Sequence, residues 1–297
     1  MKILVTGGCG FIGSTIVDLL IENNHEVVVL DNLSTGKKEN LNEKANFYEK
    51  DIRMNLSKIF EEEKFDVVIH EAAQINVRNS MENPINDAEI NILGSLNLIE
   101  LSKKFNVKKF IYASSGGAMY GDPDKIPCDE EHKINPLSPY GFSKGAVEWY
   151  LNNSGLKFCV LRYSNVYGPR QDPKGEAGVI SIFIDNMLEG KKCFINGKGE
   201  QTRDFVYVED VARANLIALE KEGYFNIGTG EEISVNMLFE GIKKVVGKGG
   251  KENRDEIKGE VFRISLDVSK AEKELGWKAE VGIEEGLRRT VDYFKKV

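Results

Sequence analysis

Within its first thirteen residues the chain commits to a strand, a glycine-rich turn and a helix. Lys2–Thr6 is apolar over residues 3–5 and closed by Thr, Gly7-Gly8-Cys9-Gly10-Phe11-Ile12-Gly13 follows, and a helical stretch continues through Leu20. Gly8, Gly10 and Gly13 satisfy G-x-G-x-x-G, while Gly7, Gly10 and Gly13 satisfy G-x-x-G-x-x-G. Such spacing suits a tight turn whose backbone approaches a pyrophosphate with no Cβ in the way, while the following helix offers its free N–H groups to the phosphates. Glycine turns also arise for structural reasons alone, so context decides. The second strand, Glu26–Asp31, ends on a carboxylate eighteen residues after Gly13, where an acid accepts hydrogen bonds from an adenosine ribose. Dinucleotide binding is therefore expected, with NAD favoured over NADP because Asp31 would repel a 2′-phosphate.

The rest of the first half repeats the pattern. Apolar runs at 66–71, 109–114 and 157–162 alternate with amphipathic segments, the βαβ rhythm of an α/β, doubly wound parallel sheet of the Rossmann type. Beyond residue 162 the rhythm weakens, with helices expected near 179–189, 208–221 and Val235–Val246, a polar mobile loop over 247–260 and a helix around 270–276. The expected organisation is a dinucleotide-binding domain over 1–164 and a smaller C-terminal region over 165–297 that binds the substrate, some of whose segments return to the first domain.

A net charge of −7, from scattered rather than clustered charges, gives no footprint for nucleic acid or an anionic membrane. No apolar run approaches a membrane span, and the short apolar start is no signal sequence, so a cytoplasmic protein is expected. Cys9, Cys128, Cys159 and Cys193 are widely spaced, and His25, His70 and His132 form no metal-ligating pattern, so free thiols and no metal are expected.

Ser138-Pro139-Tyr140-Gly141-Phe142-Ser143-Lys144 opens a helix, with Ser138 as N-cap and Pro139 at the first helical position. Tyr140 and Lys144, four apart, share a helix face. They are either an ordinary exposed polar pair or a phenol held ready as a base by an adjacent ammonium. Work near neutrality would require the phenol to shift by ~2–3 pH units from its free value near ~10, about 3–4 kcal/mol.

At this point the sequence resembles a known family. Thr6-Gly7-Gly8-Cys9-Gly10-Phe11-Ile12-Gly13, Tyr140-x-x-x-Lys144 and Ser114-Ser115 after an Ile-Tyr-Ala strand are similar to the extended short-chain dehydrogenase/reductases, and among these to the NAD-dependent UDP-glucose (UDP-galactose) 4-epimerases. The resemblance runs the whole length. It implies that the glycine turn with Phe11 and Ile12 holds the pyrophosphate, and that Asp31, Asn32, Ser34, Thr35 and Gly36 serve the adenosine ribose. Asp51 and Ile52 would lie by the adenine, with Ala72, Ala73 and Gln74 of His70-Glu71-Ala72-Ala73-Gln74 along the dinucleotide and Asn91 and Tyr163 also on the cofactor. It further implies a nucleotide-sugar grip by Asn165, Val179, Arg203 and Arg263. Tyr140 would remove the 4-hydroxyl proton while hydride passes to NAD⁺, with Lys144 beside it and a hydrogen bond from Ser115; the 4-keto sugar would then turn over and take the hydride back.

Two departures stand out. Family members often carry the catalytic Ser or Thr four residues before the Tyr of Val-Tyr-Gly, but Gly116 occupies that place before Tyr120, so Ser115 is assigned with Ser114 in reserve. A family diphosphate Arg falls on Ile257, leaving Arg254, Lys258 or Arg263 to compensate. Counting back from Asp267 puts Ile264 either in the core of the second region or, as the resemblance implies, at a gate where Tyr is usual in epimerases restricted to unsubstituted hexoses; at the gate it would admit UDP-N-acetylhexosamines. The alternatives are another nucleotide-sugar enzyme of the same family (a dehydratase, a decarboxylase or a UDP-glucuronate epimerase) or a non-catalytic NAD sensor. Dehydration would need an acid and base that Gly116-Gly117-Ala118 does not provide. The apolar helix over 139–153 points to a homodimer.

Overall fold

The structure is a computed structural model that describes residues 1–174, 178–256 and 261–296. Along the chain come strands β1 (Lys2–Thr6), β2 (Glu26–Asp31), β3 (Asn46–Glu49), β4 (Val67–His70), β5 (Lys109–Ser115) and β6 (Phe158–Tyr163). Between them lie helices α1 (Phe11–Glu22), α2 (Ser57–Glu63), α3 (Val77–Glu82), α4 (Pro84–Ala88), α5 (Ser95–Lys104), α6 (Gly116–Met119) and α7 (Pro139–Asn152). The second half adds β7 (Asn165–Tyr167), α8 (Val179–Leu188), β8 (Lys192–Asn196), β9 (Thr202–Arg203), β10 (Phe205–Tyr207), α9 (Val208–Ala218), β11 (Gly223–Ile227), β12 (Ile233–Ser234), α10 (Val235–Val246), β13 (Gly250–Arg254) and α11 (Ile283–Phe294).

Seven parallel strands form the central sheet in the order β11-β6-β5-β4-β1-β2-β3. The inner strands read as continuous apolar runs because helices bury both faces. On one face Ile3, Val5, Val29 and Ile111 pack against Ile16, Val17 and Leu20 of α1 and Val211 and Ala214 of α9. On the other, Leu4, Val28, Val68 and Phe110 pack against Phe60 of α2, Leu98 of α5 and Val147 and Leu151 of α7. The strand order reverses beside β1, the place where open α/β sheets form a crevice at the carboxyl ends of their strands. A separate apolar cluster joins Phe183 and Ile184 of α8, Phe239 and Ile242 of α10 and Leu287 and Val291 of α11.

The doubly wound sheet matches the expected fold class. The chain also returns to it after residue 164: β11 pairs with β6, Gly223 opposite Cys159 through Ile227 opposite Tyr163. The mobile loop expected over 247–260 is corrected by β13, which pairs in parallel with β8, Gly250 opposite Lys192 through Arg254 opposite Asn196. This strand is exposed along its length. Backbone pairing, a Lys192–Glu252 ion pair of 2.9 Å and the Arg254 guanidinium 3.3 Å above the Phe194 ring hold it without apolar alternation. Residues 257–260, including the Ile257 and Lys258 expectations, lie outside the described residues. The helix expected at 270–276 is a short π-turn, Ala271–Leu275, ahead of the buried Trp277. Among the described residues no helix is long and apolar enough to cross a membrane, and the four cysteines are buried free thiols.

Candidate active site

The glycine turn is shaped by close approach. Gly7 has φ +70°, and a Cβ there would stand 2.8 Å from Ala72 N. A Cβ on Gly13 would stand 2.2 Å from Gly7 O, and one on Gly10 3.1 Å from the same oxygen. Side chains would fill this cradle, and α1, capped by Gly10 and opening at Phe11 and Ile12, begins directly above it. Asp31 fixes the neighbouring loop: its Oδ2 accepts from Cys9 N at 3.0 Å and its Oδ1 from Leu33 N at 2.8 Å. Gly36 passes so near that a Cβ would lie 2.8 Å from Asp31 Oδ1.

Asp31, Asn32, Ser34, Thr35, Asp51, Ile52, Ala72, Ala73 and Gln74 together line one cavity of about 200 Å³. The Asp51 carboxylate takes two 2.8 Å bonds from Arg53 and one of 2.9 Å from Asn32 Nδ2. The Arg53 guanidinium holds this carboxyl well below the usual carboxylate range. Within the protein Asn91 and Tyr163 are already engaged. Asn91 exchanges hydrogen bonds with the backbone of Gln74, 2.9 and 2.8 Å, and donates to Asp87 Oδ1 at 2.9 Å. The Tyr163 hydroxyl donates to Glu71 Oε1 at 2.9 Å and accepts from Asn215 at 2.7 Å. Asn91 thus braces Gln74 in the cavity wall, and neither Asn91 nor Tyr163 lines this cavity itself. His70 is buried between Thr6 and Ser95, 2.8 Å from each hydroxyl. Burial and the nearby Lys144 charge pull it down to about 3, so it is neutral.

At the middle of the carboxyl edge, β5 ends on Ser115 and α7 begins. Ser138 caps α7 through a 3.2 Å bond from Gly141 N, a contact whose loss costs ~1 kcal/mol. A Cβ on Gly141 would stand 2.4 Å from Ala118 O, so the glycine beside Tyr140 lets the helix press on the turn that follows Ser115. Lys144 is buried, donates to Ala113 O at 2.7 Å and lies 5.8 Å from the Tyr140 ring centroid and 5.0 Å from that of Tyr112. Burial pulls its ammonium below the ordinary lysine range, opposed by the carboxylates of Glu71, Asp87 and Glu148. Burial pushes Glu71 up, opposed by the Tyr163 hydrogen bond and Lys144. Strand alternation turns Ser114 to the face opposite Ser115, and its Oγ donates to Glu148 Oε1 at 2.6 Å.

A groove of about 210 Å³ opens beyond β6, lined among others by Asn165, Val179, Phe194, Asn196, Gln201 and Arg203. Its inner end meets the Ser115 turn, because Asn165 Oδ1 lies 3.6 Å from where a Gly117 Cβ would stand. Neither Arg263 nor Ile264 is among the residues lining this groove. Arg263 is exposed and forms a two-pronged pair with Glu232, 2.8 and 2.7 Å. Ile264 is 2% exposed, packed with Tyr120, Cys128 and Leu266. Bridges of Thr202 with Arg263 and of Cys128 with Leu266 pin this segment on either side of Ile264, which is a core residue.

Motif reading missed Asp87, Glu148 and Arg162. Asp87 is fully buried and gathers Gln74 Nε2 at 2.9 Å, Asn91 and, through its other oxygen, Ser143 Oγ at 2.7 Å, joining the cavity wall to α7. Glu148 was discoverable as the residue one turn beyond Lys144. Asp87 had no such signal, since its partners are brought together only by tertiary packing.

Comparison with known proteins agrees with this fold. The model of the NAD dependent epimerase/dehydratase family matches residues 3–228. The chain belongs to this family. A solved family structure from Thermotoga maritima, a UDP-glucose 4-epimerase with UDP-glucose, is 51% identical with a TM-score of 0.98, covering 100% of this chain and 99% of its own. The Thermus thermophilus UDP-glucose 4-epimerase in complex with NAD is 42% identical with a TM-score of 0.95, covering 99% of each chain. A UDP-glucose 4-epimerase from Mycolicibacterium smegmatis is 41% identical over 99% of both chains.

Proposed function

We propose that the protein is an NAD-dependent UDP-hexose 4-epimerase that interconverts UDP-glucose and UDP-galactose, with Tyr140 as acid and base. One observation carries the reading: the buried Lys144 beside Tyr140 sits at the end of β5, and the strand order sets β5 between the strands bearing the Asp31 cavity and β6, where the Asn165–Arg203 groove opens. A dinucleotide and a nucleotide sugar lying in these two clefts bring their reactive ends together there. NAD, when bound in the glycine cradle, supplies a hydride acceptor that is also the donor for the return step. Tyr140 accepts the 4-hydroxyl proton and later returns it, the Lys144 ammonium favours the phenolate by proximity, and Ser115 orients the sugar oxygen. Asn165 and Arg203 grip the diphosphate from the groove, leaving the hexose free to turn. Gly116, Gly117 and Ala118 add no proton carrier, which disfavours a dehydratase.

Incubation with a panel of UDP-hexoses, followed by chromatographic separation of the epimers, tests the reading. UDP-glucose and UDP-galactose are expected to interconvert to a common equilibrium with NAD at catalytic amounts, and NADP to replace NAD poorly because of Asp31. Product limited to the amount of NAD added, or preference for NADP, refutes it.

The enzyme acts as a homodimer in a reducing, cytoplasmic setting that suits its free thiols. Phe142 and Trp149 on α7 are 63% and 64% exposed, and Leu93, on the π-helical turn Glu89–Gly94 packed against α7, is 58% exposed. An apolar face of this kind calls for a covering partner. Light scattering is expected to give twice the chain mass, and Phe142→Glu/Trp149→Glu to give a monomer; a wild-type monomer removes this part of the reading.

A further inference from the structure

Tyr140, Lys144 and Glu148 stand at successive turns along one face of α7. The last two hold the end of β5: Lys144 through Ala113 O, and Glu148 through the hydroxyl of Ser114. Glu148 is itself paired with Arg162 of β6, Nη2 to Oε2 at 2.7 Å and Nε to Oε1 at 3.1 Å. Sheet register sets Arg162 directly opposite Ser114. From there Arg162 Nη1 donates to the Tyr120 hydroxyl at 3.0 Å and to Glu130 O at 2.8 Å. Tyr120 in turn donates to Asn226 of β11 at 2.8 Å. Glu148 and Arg162 are 3% and 5% exposed.

A single buried ion pair therefore holds both ends of the loop 115–119, through Ser114 before it and Tyr120 after it, and ties that loop to the helix bearing Tyr140. The loop contains Gly116-Gly117, the pair with the most backbone freedom to lose. We infer that Glu148, fixed by Arg162 and bonded to Ser114, is the positioning element of this site, setting through that bond the spacing between the Ser115 hydroxyl and the Tyr140 phenol. A buried ion pair adds little net stability and its best-attested use is to select one arrangement, which is the task here. The inference rests on the reading of Ser115 and Tyr140 given above.

The test isolates geometry from folding. Ser114→Ala removes the strand's bond to Glu148 and leaves the ion pair, whereas Ser114→Thr keeps a hydroxyl at the same place. Ser114→Ala is expected to lower kcat about tenfold with KM for UDP-galactose within about twofold, since misplacement by an ångström costs up to ~10²-fold. Ser114→Thr is expected to recover kcat to within about threefold of the parent enzyme. Lys144 is faced by the carboxylates of Glu71, Asp87 and Glu148, the phenols of Tyr112 and Tyr140 and the imidazole of His70. Glu148→Gln removes one of those negative charges, so the ammonium loses its proton at lower pH and the alkaline limb of the kcat profile moves down by about 0.5 in pH. Unchanged kcat in Ser114→Ala, a loss confined to KM, or no recovery in Ser114→Thr overturns the inference; should Glu148→Gln fail to fold, the Ser114 pair decides. Tyr140→Phe measured alongside separates the two levels. If it remains active, the reading of Tyr140 fails; if it is inactive while Ser114→Ala behaves like the parent enzyme, only the positioning role fails.

Discussion

Tyr140→Phe is expected to lower epimer formation by on the order of 10²-fold or more while the KM for the UDP-sugar stays near its original value. A positioned acid or base contributes about 10²–10⁴-fold, and a group that acts only as the proton moves weakens kcat without weakening the ground-state complex. The variant keeps the ring beside Lys144, so the 2.7 Å bond from Lys144 to Ala113 O and the first turn of α7 are retained. Steady-state assays with UDP-galactose and a calorimetric titration with UDP decide the matter. Near-normal turnover would remove Tyr140 from the chemistry, and an equal loss in UDP affinity would make it a binding residue.

Gly13→Ala is expected to weaken NAD binding by more than about tenfold, because the new Cβ would stand 2.2 Å from Gly7 O and 3.1 Å from the Gly8 Cα. Both are backbone atoms of the turn, so the strain has no flexible side chain to absorb it. The start of α1 would have to retreat, carrying its first N–H groups away from the pyrophosphate they would otherwise meet. NAD titration followed by fluorescence measures the loss, and a melting curve separates it from unfolding. Parent-like affinity in a folded Gly13→Ala protein would mean that the cradle is not the phosphate site.

Where chemistry reduces to local backbone, the sequence was legible. The glycine turn, the acid ending β2 and the Tyr140–Lys144 spacing each follow from a short-range requirement, and each is found at the carboxyl edge of the sheet. Features made by pairing distant segments were not legible. Exposed β13 has no apolar alternation to reveal it, Asp87 acquires meaning only when Gln74, Asn91 and Ser143 converge on it, and Ser114 could be separated from Ser115 only once Glu148 was seen beneath it. Ile264 was counted back three positions from Asp267, and such counting does not show which side chains face inward, which the pairing of that segment with residues 128 and 202 helps to set.

The residues lining the Asp31 cavity all fall between 30 and 90, and those lining the groove all fall between 165 and 235. The proposed proton transfer belongs to neither stretch but to the segment between them, the end of β5 and the start of α7. The three tasks are thus written in separate paragraphs of the chain. Mutation can redraw the groove, and with it the preferred nucleotide or sugar, while the cofactor cradle and the proton-handling pair stay as they are. Inherited diversity in such a scaffold should accumulate as changes of substrate before it becomes changes of chemistry.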